Sequence, residues 1–282
     1  MSLSSAQRVF LESTASVDPE GHKPVILCLH QIFGSVYTWR HLMQPLANAT
    51  GCDVIAYDRV TWGFTERPTQ WEEGKNPYTQ EASCEFILKF LSCLGYANKK
   101  IVFVGSSAGC TISSYLSIKY PHIAFALIFL GPSIKLEDQG PPPIACTILG
   151  SFPILFLKYF ISKNLPAQAL FHDAKSIPDW ETAITPYYKT PSTLPNYYES
   201  ISFLVKYFIP LEILQHKNGL QNIPILFVVG DDDKYTTCDV HKSTFEEIKL
   251  NSPSDSIMEF KDLKTGSQLS LKNTLNSNHL AM

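Results

Sequence analysis

The sequence predicts an α/β fold, in which a mostly parallel sheet is flanked by helices. Continuous apolar runs of about six residues recur along the chain, and such runs are typical of parallel strands that are buried on both faces. Each of the first three runs is followed by a segment with apolar residues at helical spacing. At 282 residues, the chain is long enough for one such domain with an insertion, or for two small domains.

Composition and charge exclude several classes of protein. The net charge is −3, with no basic run and no acidic tail, so nucleic acid is not expected as a partner. Seven cysteines are scattered without a Cys-x-x-Cys pair, which predicts reduced core thiols rather than zinc or redox chemistry. Residues 1–16 lack the pattern of a secretory signal, so a cytoplasmic location is the expectation.

Two strand and helix pairs come first along the chain. The run 24–29 predicts a buried strand, and 37–49 predicts a helix after it. The run 52–57 predicts the next strand. Thr79 is suited to cap a helix that begins at Gln80, and this helix carries an apolar stripe of Phe86, Ile87, Phe90, Leu91 and Leu94.

The motif at the centre of the chain is a Gly-x-Ser-x-Gly pentad. An apolar, β-branched run at 100–104 leads into Gly105 and Ser107, and apolar residues at helical spacing follow Gly109. This order predicts a strand, a sharp turn and a helix, with the Ser107 side chain exposed above the sheet. Two interpretations are open: Ser107 is a nucleophile, or it merely caps the helix.

The sheet is expected to resume and end in the second half of the chain. The run 125–130 predicts another buried strand, and 223–229 predicts the next one. A helix is expected over 240–248, and a short last strand over 256–260. Between the two runs, residues 133–222 are divided by prolines into short apolar and aromatic pieces.

One of these apolar pieces, residues 144–161, is long enough to raise the question of a membrane span. Pro153 and Lys158 interrupt it, which favours a buried or interfacial segment.

Three separated motifs together resemble the α/β-hydrolase superfamily. His-x-x-x-Gly-Ser at 30–35, Asp-x-x-x-x-Gly-x-Thr-x-Arg-Pro at 58–68 and the pentad at 105–109 each follow a predicted strand. The chain looks similar to the branch that holds small esterases, carbon–carbon bond hydrolases, epoxide hydrolases and haloalkane dehalogenases. In the last two groups the nucleophile is Asp, so Ser107 argues against both.

The resemblance implies an α/β-hydrolase fold in three parts. These are a core at residues 1–132, a helical lid at 133–222, and a second core part at 223–282 that is incomplete in one alternative interpretation. An apolar lid implies a lipophilic small-molecule substrate and is compatible with contact at a membrane surface. No cofactor or metal is implied. Two other interpretations of the aspartates at 231–233 are a hard-metal site and a solvated turn. Adjacent side chains cannot all converge on one ion, which argues against the metal, whereas Asp is common in turns.

The resemblance also implies the catalytic residues. Ser107 matches the nucleophile, Asp233 the triad acid after the strand at 223–229, and His279 the base, in the family's chain order. The backbone N–H groups of Ile32 and Ala108 match the oxyanion hole. The leading hypothesis is therefore a serine hydrolase that cleaves an ester or thioester.

The chain departs from the family pattern at the base and at the oxyanion loop. His241 also follows Asp233, but a surface position near an Asp at the start of a helix explains it without a catalytic role, and His279 is the better candidate. His279 lies three residues from the C-terminus, after Asn rather than Gly, and Gln31 replaces the glycine after His30. Two further hypotheses follow: a non-catalytic protein of this fold that binds an apolar ligand or a protein partner, and an altered C-terminus of a longer enzyme.

Overall fold

A computed structural model describes the backbone of residues 11–14 and residues 23–133, 189–207, 219–231 and 237–263. Strands and helices alternate along most of these residues. In chain order they are β1 (Leu11–Thr14), β2 (Val25–Leu29), α1 (Met43–Thr50), β3 (Val54–Tyr57), α2 (Gln80–Cys93), β4 (Ile101–Ser106), α3 (Ala108–Lys119), β5 (Ala124–Leu130), α4 (Tyr197–Tyr207), β6 (Ile225–Gly230), α5 (Cys238–Leu250) and β7 (Met258–Leu263), with short 3-10 helices at Val36–Trp39 and Thr190–Thr193.

Within the described residues, the strands form one seven-stranded sheet in the order β1-β3-β2-β4-β5-β6-β7. The six strands from β2 to β7 are parallel, and β1 pairs antiparallel with β3. The predicted α/β fold with a mostly parallel sheet is confirmed. Because parallel strands all end at one edge, the loops after β2, β3 and β4 meet at this carboxyl edge of the sheet.

Both faces of the sheet are covered, which explains the continuous apolar runs. In β3, for example, Val54 and Ala56 join a buried cluster on the α1 side. Ile55 and Tyr57 join the larger cluster on the other side, to which α2, α3 and α5 contribute Ile87, Leu116 and Ile248. Two apolar faces therefore hold the central strands rigid beneath the loops at the carboxyl edge.

Most of the predicted elements are confirmed to within a few residues, but two expectations were wrong and one strand was not predicted. The helix expected over 37–49 is interrupted after Val36–Trp39, because Pro45 is tolerated only in the first turn of a helix, and α1 begins just before it. Leu94 lies beyond the end of α2 and is 38% exposed. Strand β1 was not predicted, since Leu-Glu-Ser-Thr has no apolar pattern and forms an antiparallel edge.

Two smaller expectations are also confirmed. The Thr79 hydroxyl caps α2 by accepting a hydrogen bond from the Ala82 N–H at 3.1 Å. All described cysteines are free thiols, and most of them are buried. Cys93 is exposed, and Cys146 lies outside the described residues.

The predicted lid is described only in part. Residues 133, 189–207 and 219–222 of it are described, and they contribute α4 but no strand of the sheet. The stretch at 144–161 lies outside the described residues, and among those that are described no helix is long and apolar enough to cross a membrane. The division of the chain at residues 132 and 222 stays a prediction.

Candidate active site

Ser107 lies in the turn between β4 and α3, at the carboxyl edge of the sheet. Its φ is 49° and its ψ is −115°, a conformation that is strained for any residue with a side chain and is found mostly at functional sites. The Ser107 N–H donates to the Leu130 carbonyl at 3.1 Å, and the Ser107 carbonyl accepts from the Cys110 N–H at 2.9 Å. The predicted strand, turn and helix are confirmed, and hydrogen bonds on both sides fix the turn.

Close packing requires the two glycines of the pentad. A Cβ atom at Gly109 would lie 2.0 Å from the carbonyl oxygen of Leu29 in β2. At Gly105 it would lie 2.6 Å from the backbone nitrogen of Cys110 in α3. Neither approach is sterically allowed. The contact between the strands and α3 therefore requires glycine at both positions of the pentad.

The side chain of Ser107 does not cap α3. It makes no capping hydrogen bond to the helix, although Ser is among the residues that favour this role. In the part of the chain that the structure describes, the half-buried Ser107 hydroxyl has no hydrogen-bond partner. The interpretation of this residue as a helix cap was wrong, and the hydroxyl is free of any structural bond to the described residues.

The loop after β2 carries the first of the two predicted oxyanion amides. The Gly34 N–H donates to the Gln31 carbonyl at 3.1 Å, which closes a four-residue turn around Ile32 and Phe33. Ile32 is 42% exposed. Among the described residues, the backbone N–H of Ile32 has no acceptor.

The second predicted oxyanion amide, that of Ala108, belongs to the first residue of α3. Its N–H likewise has no acceptor within the described ranges, and the positive end of the helix dipole favours an anion there. The two amides belong to adjacent parts of the molecule, since a Cβ atom at Gly109 would lie 3.2 Å from the His30 carbonyl oxygen.

His30 fixes the loop that follows it. Its Nδ1–H donates to the Gln31 carbonyl at 2.7 Å, and its Nε2 accepts from the Arg59 N–H at 3.1 Å. The ring is fully buried, and this burial together with the Arg59 charge holds the pKa of His30 well below its usual range. His30 is thus neutral, with both nitrogens bonded, which suits a structural role and not proton transfer.

Asp58 has a structural role that sequence reasoning missed, although Asp58 is part of the motif at 58–68. The buried carboxylate accepts hydrogen bonds from the Val36 N–H and the Phe64 N–H, both at 2.7 Å. Gly63 is required beside it, because a Cβ there would lie 1.9 Å from Asp58 Oδ2. The signal in the sequence was a carboxylate directly after a buried strand, where a charge needs several donors.

An aromatic cluster joins α4 to the loops at the carboxyl edge. Trp62 is 2% exposed, and its ring centroid lies 4.9 Å from that of Phe33 and 6.4 Å from that of Tyr197 in α4. The Thr61 hydroxyl also donates to the Ser200 carbonyl of α4 at 3.4 Å. The helix therefore packs beside the turn that carries Ile32, and it provides an apolar wall there.

Backbone strain is concentrated around this cluster. In the described residues, the positive φ values of residues other than glycine belong to Phe33, Thr61, Ser107 and Asn196. All four lie at the carboxyl edge or at the start of α4, and the Asn196 side-chain amide donates to the Arg67 carbonyl at 3.1 Å. Strained residues that persist in one region indicate a functional site.

The remaining predicted site residues are only partly accounted for. Asp233 and His279 lie outside the described residues. His241 was expected on the surface, but it is 2% exposed, in the first turn of α5. The reason is its spacing, since His241 lies one turn before the buried Phe245 and shares its face of the helix.

The fold and the motif at Ser107 define a family. A family model for the alpha/beta hydrolase fold matches residues 24–244, which is most of the chain. The protein therefore belongs to the α/β-hydrolase family, and the predicted resemblance is confirmed. No curated protein matches this chain.

Solved structures with the same fold include hydrolases of different kinds. The epoxide hydrolase VrEH1 from Vigna radiata shares 19% identity with a TM-score of 0.65, over 95% of this chain and 92% of that one. A carboxylesterase of the thaumarchaeon Nitrososphaera gargenis shares 18% identity with a TM-score of 0.62, over 97% and 92%. An alpha/beta hydrolase fold protein from Burkholderia ambifaria shares 13% identity with a TM-score of 0.66, over 92% and 87%. At these identities the likeness shows the fold.

Proposed function

We propose that this member of a hydrolase family is a serine hydrolase that cleaves an ester or thioester bond of a lipophilic small molecule. Ser107 is the nucleophile, His279 the base and Asp233 the residue that orients the base. The N–H groups of Ile32 and Ala108 stabilise the oxyanion. The observation that carries the proposal is the strained turn at Ser107, whose hydroxyl makes no capping bond to α3.

In the acylation step, the Ser107 oxygen attacks the carbonyl carbon while its proton passes to the imidazole of His279. The carbonyl electron pair moves to oxygen, and the amides of Ile32 and Ala108 donate to the oxyanion that results. The tetrahedral intermediate collapses with loss of an alcohol or thiol, which takes the proton from the imidazolium. A covalent acyl-enzyme remains on Ser107.

Deacylation repeats these steps with water as the nucleophile. The imidazole takes a proton from water, the resulting hydroxide equivalent adds to the acyl carbon, and the same two amides stabilise the second oxyanion. Collapse of this intermediate releases the carboxylic acid and returns the proton to the Ser107 oxygen.

The apolar surroundings of the turn support a lipophilic substrate. Phe33 packs against the buried side chains of Trp62 and Tyr197 between the loops and α4. The side chains of Ile32 and Phe64 remain partly exposed there, at 42% and 36%, and offer apolar surface to a substrate. Burial of such side chains against a substrate contributes about 25 cal/mol for each Å² removed from water. Acyl or alkyl groups of several carbons would therefore bind more tightly than short ones.

Activity-based labelling tests the nucleophile. We expect a tagged fluorophosphonate to label the wild-type protein, and Ser107→Ala to abolish both the labelling and the hydrolysis of p-nitrophenyl esters. Ser106→Ala changes the neighbouring hydroxyl and is the matched control, which should retain both. Labelling that persists in Ser107→Ala would show that the nucleophile is a different residue.

A second candidate function is a non-catalytic protein of this fold that binds an apolar ligand or a protein partner. It is favoured by Gln31, whose buried Oε1 has no hydrogen-bond partner in the described part of the chain, at a position where the family has glycine. A wild-type protein that binds fatty acids but neither reacts with fluorophosphonate nor hydrolyses esters would support this function.

A further inference from the structure

The turn at residues 31–34 contains a residue that its backbone conformation disfavours. Phe33, the third residue of the turn, has a φ of 58°, whereas Ile32 before it is not among the residues with positive φ. A positive φ at the third position is typical of a type II turn, where glycine or asparagine is preferred. Phe33 is thus retained at a strained position, and its side chain must supply the compensation.

The compensation is the contact between the Phe33 ring and Trp62. Their centroids are 4.9 Å apart at an interplanar angle of 65°, an edge-to-face arrangement that aromatic rings prefer. Trp62 is in turn packed against Tyr197 and Ile201 of α4. Glycine would fit the backbone of the turn better than Phe33, but it would leave the turn unattached to Trp62.

The Ile32 amide depends on this attachment. Within the described residues, the Gly34 N–H to Gln31 carbonyl bond closes the turn, and Phe33 is the residue of the turn that packs against the cluster of Trp62 and α4. The Ile32 N–H belongs to the Gln31–Ile32 peptide, whose carbonyl accepts hydrogen bonds from the Gly34 N–H and from His30 Nδ1–H. The bond from Gly34 forms only while the central dihedral angles of the turn are kept. A loose Phe33 ring would therefore remove one of the two bonds that orient the Ile32 N–H.

We propose that Phe33 is a positioning residue that couples the turn at 31–34 to α4 through Trp62, so that the Ile32 amide is held for catalysis while α4 is docked. The proposal rests on the proposed serine hydrolase function. It gives α4 a part in catalysis, because a helix that leaves Trp62 also releases the oxyanion amide.

The test compares p-nitrophenyl acetate, butyrate and octanoate as substrates of Phe33→Gly and Phe33→Ala. Every ester uses the same oxyanion hole, so a lost positioning contact should lower kcat by about tenfold for all three, with KM little changed. Glycine relieves the strain at φ 58°, so Phe33→Gly should keep a Tm close to that of wild type while its kcat remains low.

Phe125→Ala, at the half-exposed start of β5, is the matched control and should retain full kcat.

A double-mutant cycle tests the route through Trp62. Trp62→Leu should reproduce the fall in kcat, and Phe33→Ala combined with Trp62→Leu should be no slower than either single variant, because both remove one contact. Normal kcat in Phe33→Gly, or a loss confined to the octanoate ester, would overturn the positioning role. The second result would make Phe33 a wall of the acyl pocket. A wild-type protein without turnover or labelling would overturn the proposed function together with this inference.

Discussion

At the scale of single residues, the site depends on close contacts between backbone atoms. The sequence shows which residues are glycine, but it does not show which atoms they must avoid. The pentad predicted a sharp turn, and the structure shows which atoms Gly105 and Gly109 avoid, namely the Cys110 nitrogen and the Leu29 carbonyl oxygen. The strain at Phe33 and the burial of Trp62 could not be predicted, because both depend on α4, which is distant in sequence.

Gly109→Ala should be strongly destabilising. Its Cβ would overlap the Leu29 carbonyl oxygen at 2.0 Å, and since both partners are backbone, relief requires α3 to move away from β2. We expect a loss of about 3 kcal/mol in the free energy of unfolding, measured with urea. Gly230→Ala, where the added atom meets nothing within 4 Å, is the control, and it should change stability by less than about 0.5 kcal/mol. Equal stability of the two variants would contradict the packing described for the pentad.

The buried imidazole of His30 should make stability depend on pH. Its pKa is lowered in the folded state, so below about pH 6.5 the unfolded chain binds a proton that the folded chain does not. Relative to His30→Gln, the wild type should keep its full stability above about pH 6.5. Below that value it should lose up to about 1.4 kcal/mol of unfolding free energy per pH unit.

Urea unfolding at a series of pH values between 4.5 and 8, roughly the interval in which His titrates, measures this slope. His122→Gln changes an exposed imidazole and serves as the control that should keep the wild-type slope. If unfolding free energy had the same pH dependence in wild type and His30→Gln, His30 would bind its proton equally in the folded and unfolded states, and its pKa would not be lowered.

At the scale of elements, propensity and apolar pattern predicted most strands and helices, and the exceptions have local causes. Pro45 confines α1 to the residues that follow the 3-10 turn, and a proline rule applied to the 37–49 segment would have placed this boundary. Strand β1 gave no signal because it is held by backbone pairing with β3 at the sheet edge. The packing of α4 also had no signal, since its partners lie in the loop after β3.

Trp71 should hold α4 in place independently of the sheet. Its ring lies 5.1 Å from Phe203 and 6.0 Å from Tyr207, both in α4. In Trp71→Ala we expect amide hydrogen exchange in α4 to become about tenfold faster, which corresponds to about 1.4 kcal/mol of lost local stability, while the amides of β4 remain protected. Leu94→Ala, at an exposed position after α2, should leave both unchanged. Exchange that accelerates equally in β4 would show that α4 and the sheet unfold as one unit.

At the scale of the whole molecule, the parallel order of the strands determines where the site lies. The loops after β2, β3 and β4 meet because parallel strands end at one edge, and Ile32, Asp58 and Ser107 lie at that edge. The order could not reveal which imidazole would be the base in the proposed mechanism, since His241 and His279 both follow β6 in the chain. His241 is buried in α5, although a surface position was expected for it.

In the proposed mechanism, turnover depends on the general base, which we assign to His279. His279→Ala should slow fluorophosphonate labelling of Ser107 by about 100-fold or more, because a serine hydroxyl reacts slowly without a general base. His241→Gln preserves a polar side chain in the buried first turn of α5 and should retain the wild-type rate. The reverse result, with His241→Gln unreactive at an unchanged Tm and His279→Ala normal, would assign the proton transfer to α5 and leave the C-terminal segment without a catalytic role.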